Sequence, residues 1–370
     1  MKYYIVAGEA SGDLHASNMM RELKKNDPQA EFRCWGGDLM QAQGGEIVKH
    51  YKDLAFMGFV DVIKNIRTIF KNIAFCKEDI NNYNPDAVIL VDYPGFNLRI
   101  SDYVKNTLKI KVFYYISPTV WAWKPKRALK VKNTVDKMFV ILPFEKDFYK
   151  EKFDYEVDFV GHPLLDAIAQ RPQQSNSLRQ EFKLSDKPII LLMPGSRTRE
   201  IQDMLPIMAK MVPQFPDYEF VIAGAPSQQE DFYRKFVPQS VKFVSNRTYD
   251  LLSIAHAALV TSGTATLETA LFNVPEVICY KGDKLSWFIA KNFLVKLDFI
   301  GLPNLIMGKE IVKELLQENL NETALKKALE QILQPETRPI ALKDYQEMYQ
   351  KLGGLGASKR VADAIWAGMK

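Results

Sequence analysis

Short runs of consecutive apolar residues recur along the chain, each bounded by polar or turn-forming positions. Tyr3 to Ala7, Ala87 to Val91, Lys111 to Ile116 and Lys137 to Leu142 lie in the first half. Ile189 to Met193, Glu219 to Ala223, Ala257 to Thr261 and Glu276 to Tyr280 lie in the second. Runs rich in Val, Ile, Phe and Tyr, apolar throughout and not at every second position, predict parallel strands covered on both faces. Helical patterns such as Ala16 to Lys25 and Ser101 to Leu108 separate them, which gives the strand–helix alternation of a doubly wound sheet, twice over.

Between the two series, 169–186 is a polar stretch without apolar periodicity and reads as a linker. The expected organisation is a first α/β domain over 1–168 and a second over 187–340. After Glu310 the pattern turns helical. Over 341–370, Tyr345, Met348, Tyr349, Leu352, Val361, Ile365 and Trp366 predict terminal helices whose apolar face packs back on the first domain.

Composition narrows the class. With 370 residues, 47% hydrophobic and 25% charged, the chain can bury two cores, which excludes disorder and small disulfide scaffolds. A net charge of +5 falls short of a dedicated nucleic-acid surface, so no nucleic-acid partner is expected. Three scattered cysteines, Cys34, Cys76 and Cys279, fit neither a disulfide framework nor a zinc site and point to a reducing cytoplasm. Tyr3 to Ala7 is too short for a signal-peptide core, and no run approaches the roughly 18 apolar residues of a membrane span. Any membrane contact is expected to be peripheral.

Candidate chemistry gathers where strands end. Gly8-Glu9-Ala10-Ser11-Gly12-Asp13 follows a strand and opens a helix, so it is either a tight turn or a loop whose N–H groups face a ligand. Asp92 stands directly after Ala87 to Val91; a carboxylate there either acts as a general base on a hydroxyl or ties down its own loop. In the second half, Gly195-Ser196-Arg197 combines a glycine, a hydroxyl and a guanidinium suited to phosphate oxygens. Ser262-Gly263-Thr264 with Glu268 repeats the theme, a phosphate lying at the helix start and Glu268 accepting from ribose hydroxyls. The competing reading makes Ser262 and Thr264 caps and Glu268 a first-turn acid favoured by the helix dipole.

His15, His50, His162 and His256 show no metal-ligand spacing, and no Asp-x-Asp is present, so a metal-free transferase is expected. Trp121-Ala122-Trp123 runs into Lys124, Lys126, Arg127, Lys130 and Lys132, either a solvated helix face or an anion contact. Phe59, Val62, Ile63, Ile66, Ile69, Phe70 and Ile73 fall at helical spacing with Lys64, Arg67 and Lys71 off that face. The pattern suits a membrane surface or packing on the core.

These residues fall into motifs that together resemble the lipid-A-disaccharide synthase family. In order they are Gly8 to Asp13, Asp92-Tyr93-Pro94-Gly95-Phe96-Asn97, Ser117 to Trp123, Leu142-Pro143-Phe144-Glu145, Gly161-His162-Pro163, Pro194 to Arg197, Ser262 to Glu268 and Leu302-Pro303-Asn304. The resemblance spans nearly the whole chain. It implies a GT-B fold, two Rossmann-like domains facing a cleft, and an inverting glycosyltransferase that uses no cofactor. It implies UDP-2,3-diacylglucosamine as donor, 2,3-diacylglucosamine 1-phosphate as acceptor, and a β(1→6) disaccharide 1-phosphate plus UDP as products. Asp92 matches the family's proposed base; Arg197, Glu268 and Asn304 match positions tied to UDP. Gly95 stands where some relatives carry an acid, so Asp92 would serve alone. An acylated substrate also implies attachment to the cytoplasmic face of the inner membrane, with its surface lipids as partners. Gly8 to Asp13 and the face of Phe59, Ile66, Phe70 and Ile73 are expected on the acceptor or lipid side. Competing readings are another GT-B UDP-sugar enzyme, such as an N-acetylglucosamine 2-epimerase or the peptidoglycan glycosyltransferase, and a non-catalytic nucleotide-binding peripheral protein. The oligomeric state is left open.

Overall fold

A computed structural model describes residues 1–54, 66–121, 125–171, 178–226, 228–282 and 298–370. The chain forms two compact units, Met1–Arg171 with Leu352–Lys370, and Pro172–Lys351.

The first unit is built on a wholly parallel sheet of seven strands: β1 (Lys2–Ala7), β2 (Glu31–Gly36), β3 (Gly45–His50), β4 (Ala87–Val91), β5 (Lys111–Tyr115), β6 (Lys137–Val140) and β7 (Asp158–Phe159). Their order is β3-β2-β1-β4-β5-β6-β7. The chain winds outward from β1 in one direction, then restarts at β4 in the other, so β1 and β4 flank the point where the order reverses. They pair in register from Tyr3 and Ala87 to Ala7 and Val91. Every residue of β4 is buried, as its uninterrupted apolar run requires. Helices cover both faces. Ala10–Asn26 and Ala357–Met369 supply Ala16, Met19, Met20, Val361 and Ile365 to one core. Ile66–Tyr83, Pro94–Tyr103, Arg127–Thr134 and Pro143–Phe153 supply Ile73, Cys76, Phe96, Val131 and Tyr149 to the other.

The second unit repeats the plan with six parallel strands: β8 (Ile189–Met193), β9 (Glu219–Gly224), β10 (Lys242–Ser245), β11 (Ala257–Thr261), β12 (Glu276–Tyr280) and β13 (Lys313–Leu316). The order β10-β9-β8-β11-β12-β13 places its reversal between β8 and β11.

Several expectations shift. The return to the first unit comes at Leu352 and not at 341, because Tyr345 and Met348 of helix Thr337–Lys351 are buried in the second unit. One helix, Ala357–Met369, makes the return. Its start is held by Asp166, whose carboxylate accepts from the N–H groups of Gly356 (2.6 Å) and Ser358 (2.7 Å). The segment after Glu310, expected to be helical, first adds β13 to the sheet edge. Within 169–186, Leu178–Glu181 forms a short helix, and 172–177 lie outside the described residues.

The apolar face expected over 59–73 divides. Phe59, Val62 and Ile63 lie outside the described residues, and Ile66 opens the helix Ile66–Tyr83. Ile73, 6% exposed, packs in the core with Cys76 and Ile80, whereas Phe70 is 56% exposed. At 100° per residue Ile69, Ile73, Cys76 and Ile80 form the inward stripe, and Phe70 falls beside it. Ile73 is therefore a core residue, not part of a lipid-facing surface.

Candidate active site

In open parallel sheets ligands gather beyond the carboxyl ends of strands where the order reverses. At the first reversal β4 ends in Asp92 and Tyr93, both left-handed with φ of 45° and 48°. Non-glycine residues adopt this region at a cost and keep it when surrounding contacts over-determine it. Here the contacts are explicit. The Asn97 side-chain amide donates to the carbonyls of Asp92 (2.8 Å), Val91 (3.2 Å) and Val6 (3.3 Å), which ties the end of β4 to the end of β1. The Tyr114 hydroxyl donates to the Asp92 carbonyl at 2.6 Å, and the Asp92 N–H donates to Tyr115 O at 2.9 Å. The Asp92 backbone is clamped from three sides while its side chain stands apart from the clamp.

The half-buried Asp92 carboxyl has its pKa pushed up to about 7, first by burial and then by the neighbouring Glu9 carboxylate, against a smaller opposing hydrogen bond from the Tyr93 N–H. Across the reversal, Gly8 gives room for the Tyr93 ring: a Cβ there would lie 2.4 Å from ring carbons. Glu9 and Ser11 are exposed at the start of helix Ala10–Asn26, and Gly12 packs on Ala7. Asp13 differs from its expected placement on a ligand-facing loop. Its buried carboxylate accepts from the N–H groups of Gly37 (2.8 Å), Leu39 (3.1 Å) and Met40 (3.1 Å), so it caps helix Asp38–Ala42.

At the second reversal β8 leads into Gly195, with φ of 100°, and Arg197 precedes helix Thr198–Ala209. Glu200 folds back on this loop. One carboxylate oxygen accepts from the N–H groups of Ser196 (3.1 Å) and Arg197 (3.2 Å), and the other from the Arg197 guanidinium (3.2 Å). The Arg197 side chain is 73% exposed. A carboxylate thus sits among donors of the kind that bind phosphate oxygens.

β11 leads into Ser262, Gly263 and helix Thr264–Leu271, whose N-cap is Gly263 and so brings no capping side chain of its own. Ser262 and Thr264 are not its caps: the Ser262 hydroxyl donates to Ile300 O (3.4 Å), and Thr264 is exposed. Glu268 accepts from the Tyr249 hydroxyl at 2.6 Å, and burial raises its pKa. Asn304 has no free polar atom. Its amide donates to Val312 O and Glu314 (both 2.8 Å), and its carbonyl accepts from Ile311 N (2.7 Å) and Val312 N (2.9 Å). Its direct partners are internal, and it fixes the loop around helix Leu302–Met307. Among the described residues no three His, Cys, Asp or Glu side chains come together as a metal-binding group.

Residues 3–365 match the family described as lipid-A-disaccharide synthetase. The chain is 36% identical to a lipid-A-disaccharide synthase of Syntrophus aciditrophicus, over 97% of this chain and 95% of that protein. The chain belongs to the lipid-A-disaccharide synthase family. A Coxiella burnetii synthase is 38% identical over 94% of this chain and 88% of its own length. A Legionella pneumophila lipid-A-disaccharide synthase 1 is also 38% identical, over 84% and 82%. As a member of this family the chain is a hexosyltransferase that forms the lipid A disaccharide from a UDP-sugar and a lipid A precursor, as the motifs led us to expect. The epimerase and non-catalytic readings are not favoured.

Solved structures agree on the fold. The S. aureus MnaA–UDP co-structure superposes with a TM-score of 0.71 at 13% identity, covering 100% of this chain and 96% of that one. The Neisseria meningitidis UDP-GlcNAc 2-epimerase bound to UDP-GlcNAc gives 0.65 at 14%, covering 100% and 99%. At such identities the likeness shows the GT-B architecture alone.

Three residues at these sites were not singled out from sequence, Tyr114, Tyr249 and Glu200, and Asn97 was quoted only as the last residue of the Asp92 motif. Asn97 had a signal, a polar residue at the apolar start of a helix. Glu200, three residues after Arg197, accepts from the Arg197 N–H as the third-position acid of a capping box does, a spacing the sequence displays. Tyr114 lies within an apolar strand run and Tyr249 in a polar stretch, and neither had a signal.

Proposed function

We propose that Asp92 is the general base of the lipid A disaccharide synthesis and that Arg197, the start of helix Thr264–Leu271 and Glu268 hold the UDP moiety. The acceptor 6-hydroxyl loses its proton to Asp92 as its oxygen bonds to the anomeric carbon of the donor glucosamine. The bond from that carbon to UDP breaks on the opposite face, which inverts the centre and gives the β linkage. Negative charge grows on the departing diphosphate, where the Arg197 guanidinium and the helix start at Gly263 stabilise it. Glu268, steadied by Tyr249, accepts from ribose hydroxyls. Gly195, Ser196, Ser262, Gly263 and Thr264 line the donor loops. Asn304 acts at one remove by setting its loop.

The observation that carries this reading is the Asp92 carboxyl, with a pKa of about 7 on a backbone clamped at the reversal of the sheet. A base works best when its pKa lies near the working pH. Further support for the donor side comes from proteins of the same fold that are solved with UDP or UDP-GlcNAc. Calorimetry of UDP binding, run beside turnover assays, tests the division of labour. Arg197→Ala should weaken UDP binding about ten- to hundredfold, and Asp92→Asn should leave it unchanged. Equal UDP affinity in the parent and Arg197→Ala would remove the donor assignment.

Attachment to the cytoplasmic face of the inner membrane belongs to the same proposal. The substrates carry acyl chains, no described helix is long and apolar enough to cross a membrane, and Phe70 and Phe75 are exposed on a helix that also carries Arg67 and Lys71. Such a surface suits anionic lipid.

A further inference from the structure

The helix that follows Asp92, Pro94–Tyr103, and the helix that follows β5, Arg127–Thr134, both run back from the carboxyl ends of adjacent parallel strands, so they run in the same direction. They are locked level with one another by a buried contact between the Ser101 and Thr134 hydroxyls at 2.8 Å. Ser101 is seven positions after Pro94 and Thr134 is seven positions after Arg127, so the two helices start at the same height. Packed helices lie about 8 to 10 Å apart. Arg127 therefore stands one helix width from the Pro94 end of the Asp92 loop, on the same edge of the sheet.

Tyr114 connects the two positions. Its hydroxyl is bonded to the Asp92 carbonyl and feels both the Asp92 carboxylate and, with opposite sign, the Arg127 guanidinium. Arg127 is half-buried and, among the described residues, makes no hydrogen bond or ion pair. A guanidinium presents five donors in a planar fork, and one withdrawn from water without an anion is a costly arrangement. Nearby lysines at the sheet periphery are paired: Lys105 with Asp136, and Lys150 with Asp154 and Glu156. Arg127, next to the proposed base, has no such partner among the described residues.

We infer that Arg127 binds the phosphate monoester of the acceptor sugar, fixing the end of the ring opposite the hydroxyl that Asp92 deprotonates. The inference rests on the reading of Asp92 as base. With the 6-hydroxyl at Asp92, the anomeric phosphate of the same sugar projects from the far side of the ring, one sugar length away, and Arg127 stands at a comparable remove. A bidentate grip there selects the phosphorylated acceptor over its dephosphorylated counterpart and keeps the reactive hydroxyl at the carboxylate.

The test compares kcat/KM for 2,3-diacylglucosamine 1-phosphate and for 2,3-diacylglucosamine, in neutral detergent micelles free of anionic lipid. The parent should prefer the phosphorylated acceptor about ten- to hundredfold, and Arg127→Ala should collapse that preference towards one, mainly through KM, with UDP affinity unchanged. Arg127→Lys should keep part of it. A preference that survives in Arg127→Ala overturns the inference. So does an unchanged preference accompanied by lost binding to phosphatidylglycerol vesicles, which would assign Arg127 to a lipid headgroup. If Arg127→Ala does not fold, Arg127→Gln decides: a preference that falls at least tenfold supports the inference, and one retained in full overturns it. Failure of the Asp92 reading is separately visible, as full turnover in Asp92→Asn with the acceptor preference intact.

Discussion

The two sheet reversals share a plan and differ in what they place at it. In the first unit the strand end carries a carboxylate on a strained backbone, held by Asn97 and Tyr114, with its pKa pushed up to about 7. In the second unit the strand ends carry donors: the exposed Arg197 guanidinium and the loop N–H groups of Ser196 and Arg197, all held by Glu200, and a helix start whose N-cap is Gly263. On the reading proposed above, one reversal takes a proton and the other holds an anion. Rigid backbone and a shifted pKa mark chemistry, whereas exposed, adaptable donors mark binding. The same topology accommodates both because the loops, not the strands, carry the difference.

That contrast can be broken from either side. The largest effect is expected at the first reversal, where Asp92→Asn should lower turnover by about 10² to 10⁴ while UDP binding, followed calorimetrically, stays put. Next comes the divided helix face. Ile73→Ala should cost about 2 to 5 kcal/mol of stability by chemical denaturation, and Phe70→Ser well under 1 kcal/mol while reducing vesicle co-sedimentation. Equal losses from both would mean that Phe70 also serves the core. At the second reversal, Arg197→Ala should weaken UDP by about 1.5 to 3 kcal/mol, with a smaller loss for UMP, which has fewer phosphate charges. Tyr249→Phe should cost only about 0.5 to 1.5 kcal/mol of UDP affinity, because it removes one hydrogen bond that orients Glu268. A Tyr249→Phe variant as impaired as Arg197→Ala would make Glu268, not the guanidinium, the chief holder of the nucleotide.

Most interior strands were legible because burial on both faces demands uninterrupted apolar runs, and β1, β4, β5, β6, β8, β9, β11 and β12 have them; β2, interior but interrupted by Arg33, was not. The edge strands β3, β7, β10 and β13 were not. Each has a neighbour on one side only and is largely half-exposed, so its residues are mixed and carry no periodic signal. The loops at the reversals were legible as motifs, but residue type alone did not say which side chains face outward. Asp13 and Asn304 have the chemistry of ligand contacts, yet one caps a helix and the other clamps a loop. Arg127 stood out only within a basic run; its lack of an ion pair among the described residues, and its place level with the Asp92 loop, come from the structure.

The most direct test of the proposed base is the pH dependence of kcat at saturating substrates. Because the Asp92 pKa is raised from 3.8 to about 7, the carboxyl is neutral below that pH and able to accept a proton above it. The rate should therefore rise through an apparent pKa near 7 and level off, while UDP affinity stays flat over the same range. By the same shift, the contribution of the neutral carboxyl to stability is fully present only below about 3.8 and is lost as pH rises from there through about 7, so Asp92→Asn should melt higher than the parent at pH 8, by less at pH 5, and close to it only near pH 3.5. A rate profile that is flat between pH 5 and 9, or one whose limb near 7 persists in Asp92→Asn, would contradict the assignment of the base.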